Sequence, residues 1–185
     1  MRNYYDPLHK RINLNKELEE EAIVIDLIDS EPFQRLRRIR QLGPASLTFH
    51  GAESSRFTHS LGVFDIARRA LLSLISQHKE LEKYKVLLYS SALLHDLGHG
   101  PLSHTSEEMF GINHEEWSAK IIEEHPQIRN AVEKFSNTSV KQIAGLINGN
   151  EIPNKAIKSL ISGQLDCDRL DYLLRDSHST GASYG

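Results

Sequence analysis

Apolar and polar residues alternate weakly between Tyr4 and Leu14, around an Asp6-Pro7 turn signal, which predicts a short extended segment or hairpin. The period then lengthens. Leu18, Ala22, Ile25 and Ile28 fall at helical spacing, with Asn15 as the expected cap of a helix from Glu17 to about Ile28. Asp29-Ser30-Glu31-Pro32 opens a second helix, because proline suits a first turn. Phe33, Leu36, Ile39 and Leu42 form its buried stripe, and Gly43-Pro44 ends it. Residues 45–55 read as a loop with a brief extended piece at Leu47-Thr48-Phe49. Ser54-Ser55 offers capping oxygens to a long helix from Arg56 to about His78, whose core face is Leu61, Phe64, Ala67, Leu71, Leu74 and Ile75. Further helices are expected from Lys83 to Leu97, from Asn113 through Glu124, from Ile128 to Phe135, from Ser139 to Leu146, from Pro153 to Ile161 and from Leu165 to Arg175. Residues 102–110 make a short helix or turn. No sustained strand pattern and no repeat appears. The fold class is all-α, a helical bundle with a short N-terminal β-hairpin.

The polar residues that interrupt this pattern carry the chemistry. The apolar run Val86-Leu87-Leu88 and Ala92-Leu93-Leu94 ends in His95-Asp96, and placing an imidazole and a carboxylate there is costly without strong partners. Two readings follow: a bound cation satisfies both groups, or the two hydrogen-bond each other in a structural pair. Gly98, Gly100 and Pro101 stop the helix and permit close backbone approach. His59 lies in a first helical turn beside Arg56, as a capping or core residue or as a ligand. Asp168, Tyr172 and Asp176 are spaced four apart on one helix face, and Asp171 and Arg175 can pair on another. Arg35, Arg37, Arg38 and Arg40 make the second helix basic, which ordinarily means a solvated face.

Composition narrows the setting. The 185 residues fit one domain with room for a sizeable core, at 39% hydrophobic and 25% charged. A net charge of −3 argues against a generally basic nucleic-acid surface but not against a local phosphate pocket. Cys167 is the single cysteine, so no intrachain disulfide forms and a reducing interior fits best. No signal core and no membrane-length apolar run is present, so the expected location is cytoplasmic. The chain stops at Gly185 just after a helix rich in functional residues, and the expectation is a single domain over residues 1–185 that forms the N-terminal catalytic part of a longer chain.

Three blocks then occur in order: Arg56-Phe57-Thr58-His59-Ser60-Leu61-Gly62-Val63, Leu94-His95-Asp96-Leu97-Gly98-His99-Gly100-Pro101, and Asp166-Cys167-Asp168-Arg169-Leu170-Asp171-Tyr172. Together with Asp6-Pro7-Leu8-His9, Phe33-Gln34-Arg35-Leu36-Arg37 and Gln41-Leu42-Gly43, the set resembles the HD-domain metal-dependent phosphohydrolases, and within them the deoxynucleoside triphosphate (dNTP) triphosphohydrolases. The resemblance implies one divalent ion (iron, manganese, zinc, cobalt, nickel or magnesium) held by His59, His95, Asp96 and Asp168. Asp166 stands beside the ion or a phosphate, and the roles of the two aspartates are exchangeable at this point. It places His99, His104 and His114 along the phosphate pocket, with His104 as phosphate contact and proton donor. His99 either supports it or simply bonds a ligand carboxylate. Arg56 and Arg169 are implied phosphate contacts, and Gln41, Tyr172 and Asp176 lie where the family contacts the sugar, although Tyr172 also suits a core position. Asp29, Gln34 and Arg37 match positions that read a guanine-nucleotide effector at an oligomer interface. The implied partners are a dNTP, that effector and further copies of the chain, with no membrane and nucleic acid not favoured.

The implied activity is hydrolysis of a dNTP to deoxynucleoside and inorganic triphosphate. Two other readings stay open: another HD phosphohydrolase (nucleotide phosphomonoesterase, phosphodiesterase or single-strand nuclease), and a nucleotide-binding, oligomerising module without turnover.

Overall fold

The computed structural model describes residues 1–134 and 138–183. It opens on an antiparallel hairpin, β1 (Arg2–Asp6) and β2 (Lys10–Leu14), registered from Arg2 opposite Leu14 to Asp6 opposite Lys10. Ile12 and Leu14 alternate onto the buried face, while the Asp6 carboxylate accepts the backbone N–H groups of Leu8 and His9 and shapes the turn. Ten α-helices follow among the described residues: α1 (Glu19–Asp29), α2 (Glu31–Arg35), α3 (Arg56–Ile75), α4 (Lys85–Leu94), α5 (His104–Phe110), α6 (His114–Glu124), α7 (Pro126–Glu133), α8 (Val140–Ile147), α9 (Lys155–Ile161) and α10 (Cys167–Thr180). The all-α architecture with a small hairpin is the one its periodicity predicts. Among the described residues, no helix is long and apolar enough to cross a membrane.

Local chemistry sets the helix starts. Ser55 accepts the Thr58 N–H, Asn113 those of Glu115 and Glu116, and Asn154 those of Ala156 and Ile157. Ser139 and Gln142 form a reciprocal capping box on α8. Three glutamates, Glu19 to Glu21, occupy the first turn of α1 where the helix dipole favours them.

Several boundaries depart from expectation. Asn15 does not cap α1; its side chain accepts the Glu17 N–H in a turn, and the helix begins at Glu19 after Leu18. The second helix does not reach Leu42. It tightens into a 3-10 turn at Leu36–Arg38 and then extends, because Arg40 pairs with Ser55 and the Arg56 N–H bonds Ile39 O. Gly43-Pro44 therefore opens a 3-10 helix, Gly43–Leu47, instead of ending an α-helix, and Leu47 is not extended. The expected Lys83–Leu97 helix divides into a 3-10 helix, Lys79–Tyr84, and α4, which stops at Leu94. Phe135, the expected end of the seventh helix, lies outside the described residues.

The core runs continuously between the hairpin and α1, α3, α4, α6 and α8. Phe64 of α3 meets Tyr89 of α4 edge-on at 5.5 Å between ring centroids, and Phe33 packs 5.1 Å from Phe57. α3 lies between α4 and α10. That arrangement brings the start of α3, the end of α4 and the start of α10 to one place.

Candidate metal centre

Each of those three helix ends contributes a polar side chain that its surroundings pin. His59, in the first turn of α3, is fully buried. His95 caps the C-terminus of α4, with its Nδ1 2.9 Å from Ala92 O. The His95 carbonyl accepts Ser118 Oγ at 2.7 Å, and Ser118 Oγ in turn accepts the Gly98 N–H. Gly98 is required here: a Cβ would lie 2.2 Å from His114 O, so α6 packs directly on the turn after His95. Arg35 closes the same turn from the other side, donating to Leu97 O and His99 O.

Four side chains converge. Nε2 of His59 lies 2.9 Å from Asp168 Oδ1 and 3.6 Å from Asp96 Oδ2. Nε2 of His95 lies 3.5 Å from Asp96 Oδ1 and 3.7 Å from Asp168 Oδ1. Two donors each ~2.1 Å from one ion and at right angles to each other sit ~3 Å apart, so these separations suit a shared cation. Among the described residues neither Nε2 makes a well-directed hydrogen bond, despite these close carboxylates, although both are buried. Two orphaned imidazole nitrogens facing two carboxylates fit a divalent ion. A purely structural His95-Asp96 pair does not explain this arrangement, because it leaves both Nε2 atoms unsatisfied.

The electrostatics are those of an anionic hole. Burial works against the Asp96 carboxylate, but Arg56 and the His95 and His99 imidazoles outweigh it and hold its pKa well below the ordinary range. Burial likewise opposes Asp168, and His59 and His95 overcome it and lower its pKa. Burial pushes His59 down, yet the close Asp168 carboxylate, the bond to Asp171 and the charge of Asp96 lift it to about 10 without an ion.

A second cluster adjoins the first. The Glu107 carboxylate of α5 gathers three imidazoles: His104 Nδ1 at 2.9 Å, His114 Nδ1 at 2.9 Å and His99 Nδ1 at 3.2 Å. His99 and His114 stack at 4.0 Å, and Nε2 of His99 lies 3.3 Å from Asp96 Oδ1. Burial pushes His99 down to about 4, so it stays neutral near pH 7, whereas His104 is 68% exposed.

The other expected site residues are distributed around this centre. Arg56 is buried and commits its guanidinium to Asp96 at 2.5 Å and to Ser103 Oγ. Asp166 is the N-cap of α10, accepting the Arg169 N–H at 2.8 Å and the Gly163 N–H at 3.1 Å. Arg169 is exposed and donates to Gln164 O. Tyr172 is half-buried; Asp176, also half-buried, has its pKa raised by burial. Gln41 is half-buried and its carbonyl accepts Ser103 Oγ. Gln34 and Arg37 bond each other and line a cleft of about 600 Å³ with Arg35, Arg38, Ile121 and His125. Asp29 instead lines a neighbouring cleft and pairs with Arg2. Glu107 and Ser103 were not singled out by sequence reasoning; a carboxylate three residues after His104 in a predicted helix was the available signal.

The HD domain family matches residues 56–176, which span all three converging helix ends. The chain belongs to the HD-domain family. Among its relatives is the uncharacterized protein YwfO of Bacillus subtilis, 43% identical over 183 residues, which cover 98% of this chain and 41% of that one. A deoxynucleoside triphosphate triphosphohydrolase SAMHD1 homolog of Dictyostelium discoideum is 34% identical, over 90% of this chain and 35% of its own length. A likeness to solved structures holds in three dimensions too. The crystal structure of a phosphohydrolase from Bacteroides thetaiotaomicron superposes with a TM-score of 0.81 at 34% identity, over 100% of this chain and 44% of that one. The chain thus spans less than half the length of these relatives.

Proposed function

We propose that this HD domain is a metal-dependent phosphohydrolase acting on dNTPs, releasing deoxynucleoside and inorganic triphosphate. The observation that carries the reading is the convergence of His59, His95, Asp96 and Asp168, with two buried Nε2 atoms lacking hydrogen bonds among the described residues. These four residues would hold the divalent ion. Once bound, the ion would lower the pKa of water and neutralise charge at phosphorus.

The remaining work falls to the chain's own side chains. Hydrolysis adds water across the bond between the α-phosphorus and the 5′ oxygen, and the departing oxygen needs a proton. His104 supplies it on this reading: Glu107 holds its Nδ1 at 2.9 Å while the ring stays exposed. His114, on the same carboxylate, binds phosphate oxygens, and neutral His99 accepts or donates within the cluster. Arg56 fixes Asp96 and, from beneath the pocket, contributes positive charge toward a bound phosphate. Arg169 extends the positive field toward the triphosphate, Asp166 sets the start of α10 beside it, and Gln41, Tyr172 and Asp176 bound the sugar. Gln34 and Arg37, with Asp29 nearby, form the guanine-nucleotide effector site between copies of the chain. The name of the Dictyostelium relative supports dNTPs over other phosphate esters.

The test pairs elemental analysis of the purified protein with chromatography of products from dNTPs, monophosphates and single-stranded DNA, each with and without guanine nucleotide. Bound metal and triphosphate release from dNTPs are expected, and both are lost in His95→Ala. Full turnover in metal-free protein, or release of monophosphate alone, overturns the reading.

A further inference from the structure

His59 presents Nε2 to the proposed ion, but its other nitrogen leads away into the protein. Nδ1 lies 2.7 Å from Asp171 Oδ2. Behind that carboxylate stands a polar chain which the catalytic reading does not use. Arg175 donates Nε to Asp171 Oδ2 at 2.7 Å and Nη2 to Oδ1 at 2.9 Å. Nε2 of His9, from the hairpin turn, meets Asp171 Oδ1 at 2.5 Å. Arg175 Nη1 reaches Asp6 Oδ2 at 2.8 Å, and Asp6 Oδ1 accepts the backbone N–H groups of Leu8 and His9. The side chains of His9, Asp171, Arg175 and Asp6 are 5%, 0%, 5% and 4% exposed.

A carboxylate has about four acceptor positions. Those of Asp171 are all taken, two by Arg175, one by His59 and one by His9. The chain also leaves room for this junction at one backbone position. A Cβ on Gly62 would lie 2.0 Å from Asp171 Oδ1, 2.6 Å from Arg175 Nη2 and 2.7 Å from His9 Nε2. Gly62 follows His59 by three residues in α3, so the helix that carries the imidazole also makes the space for its support.

We propose that the N-terminal hairpin is a working part of the metal centre, with His9 a positioning residue that fixes the His59 imidazole through Asp171. Asp6 sets His9 in place and grips Arg175, so one turn of hairpin locks two of the three neighbours of the carboxylate, the third being His59. A strap that only joined the hairpin to the bundle could end anywhere on α10. This one ends on the carboxylate that holds His59. The inference rests on the reading of His59 as a ligand, and partners of this kind commonly govern metal affinity by 10–100-fold.

The experiment is a Co2+ titration of the metal-free full chain, followed by visible absorption, with folding checked by circular dichroism. Wild type is compared with His9→Ala, His9→Leu, His9→Gln and, as a hairpin control, Tyr5→Ala, whose side chain is exposed. His9→Leu keeps volume and removes the donor; His9→Gln keeps a donor. Alanine and leucine are expected to weaken Co2+ binding ~10–100-fold, glutamine to restore it to within about threefold, and Tyr5→Ala to leave it unchanged. Folded alanine and leucine variants with wild-type affinity overturn the proposal. So does failure of glutamine to rescue, or failure of both donor-free variants to fold, which makes the hairpin a structural strap alone. A wild-type protein that takes up no Co2+ removes the metal reading itself, a different outcome from either.

Discussion

Asp166 and Asp168 stand two residues apart, and the start of a helix falls between them. Asp166 spends its carboxylate on the Arg169 and Gly163 N–H groups at the N-terminus of α10. Asp168, inside the first turn, points Oδ1 at both His59 and His95. Asp168→Asn is therefore expected to lose bound metal while the helix stays formed. Asp166→Ala is expected to cost about 1 kcal/mol of stability, as a lost cap, and to keep its metal. Elemental analysis beside urea denaturation reads both; loss of metal in Asp166→Ala alone would reverse the assignment. The sequence motif left these two exchangeable, because a cap and a ligand are chemically the same residue until the first helical turn is located. Glu107 was missed for a related reason. Its partners, His99 and His114, reach it only through the turn at Gly98 and the packing of α6 on that turn.

At the scale of elements, helices with an apolar stripe were legible, whereas a boundary set by long-range polar pairing was not. α3, α4 and α8 bury long hydrophobic faces, and their spacing predicts them to within a few residues. The break after Arg35 was invisible in the same stripe, since Leu36 and Ile39 are both buried as a helix would bury them. What decides it is the long-range pairing of Arg40 with Ser55. α5 falls within the expected 102–110 segment but is held differently: none of its residues is buried, Met109 and Phe110 are exposed, and Glu107 anchors it to the imidazoles of His99 and His114. With so little packing, α5 belongs to the low-stability end of the molecule. Its amides are expected to exchange with solvent at least ~100-fold faster than those of α4, and Glu107→Ala to speed α5 further while leaving α4 unchanged. Native-state hydrogen exchange measures this directly. Equal protection in the two helices would mean that contacts other than Glu107 hold α5. A loosely held helix also suits the role proposed for His104, which has to meet substrate and let product leave.

For the whole molecule, the decisive fact is that the four proposed ligands come from three separate helix ends that meet at this centre. His59 opens α3, His95 and Asp96 follow α4, and Asp168 opens α10. The apolar core fastens α3 to α4, whereas near its start α10 offers few large side chains to it beyond Cys167 and half-buried Leu170. Without an ion, the convergence brings carboxylates together and leaves two imidazole nitrogens unsatisfied. An ion binds only when all three ends are in place, so its binding free energy adds to folding free energy. At a free concentration of 100 times the dissociation constant this amounts to ~2.7 kcal/mol. In a domain of this size each kcal/mol moves the melting temperature by ~2–4 °C. Adding Mn2+ or Co2+ to chelator-treated protein is thus expected to raise the midpoint by about 5–10 °C. The same ions should leave Asp168→Asn unmoved, because that variant lacks the carboxylate that α10 offers to the ion. Calorimetry with and without ion reads the shift. An equal shift in the variant would place the ion elsewhere, and no shift in wild type would mean that the three helix ends meet without sharing a ligand.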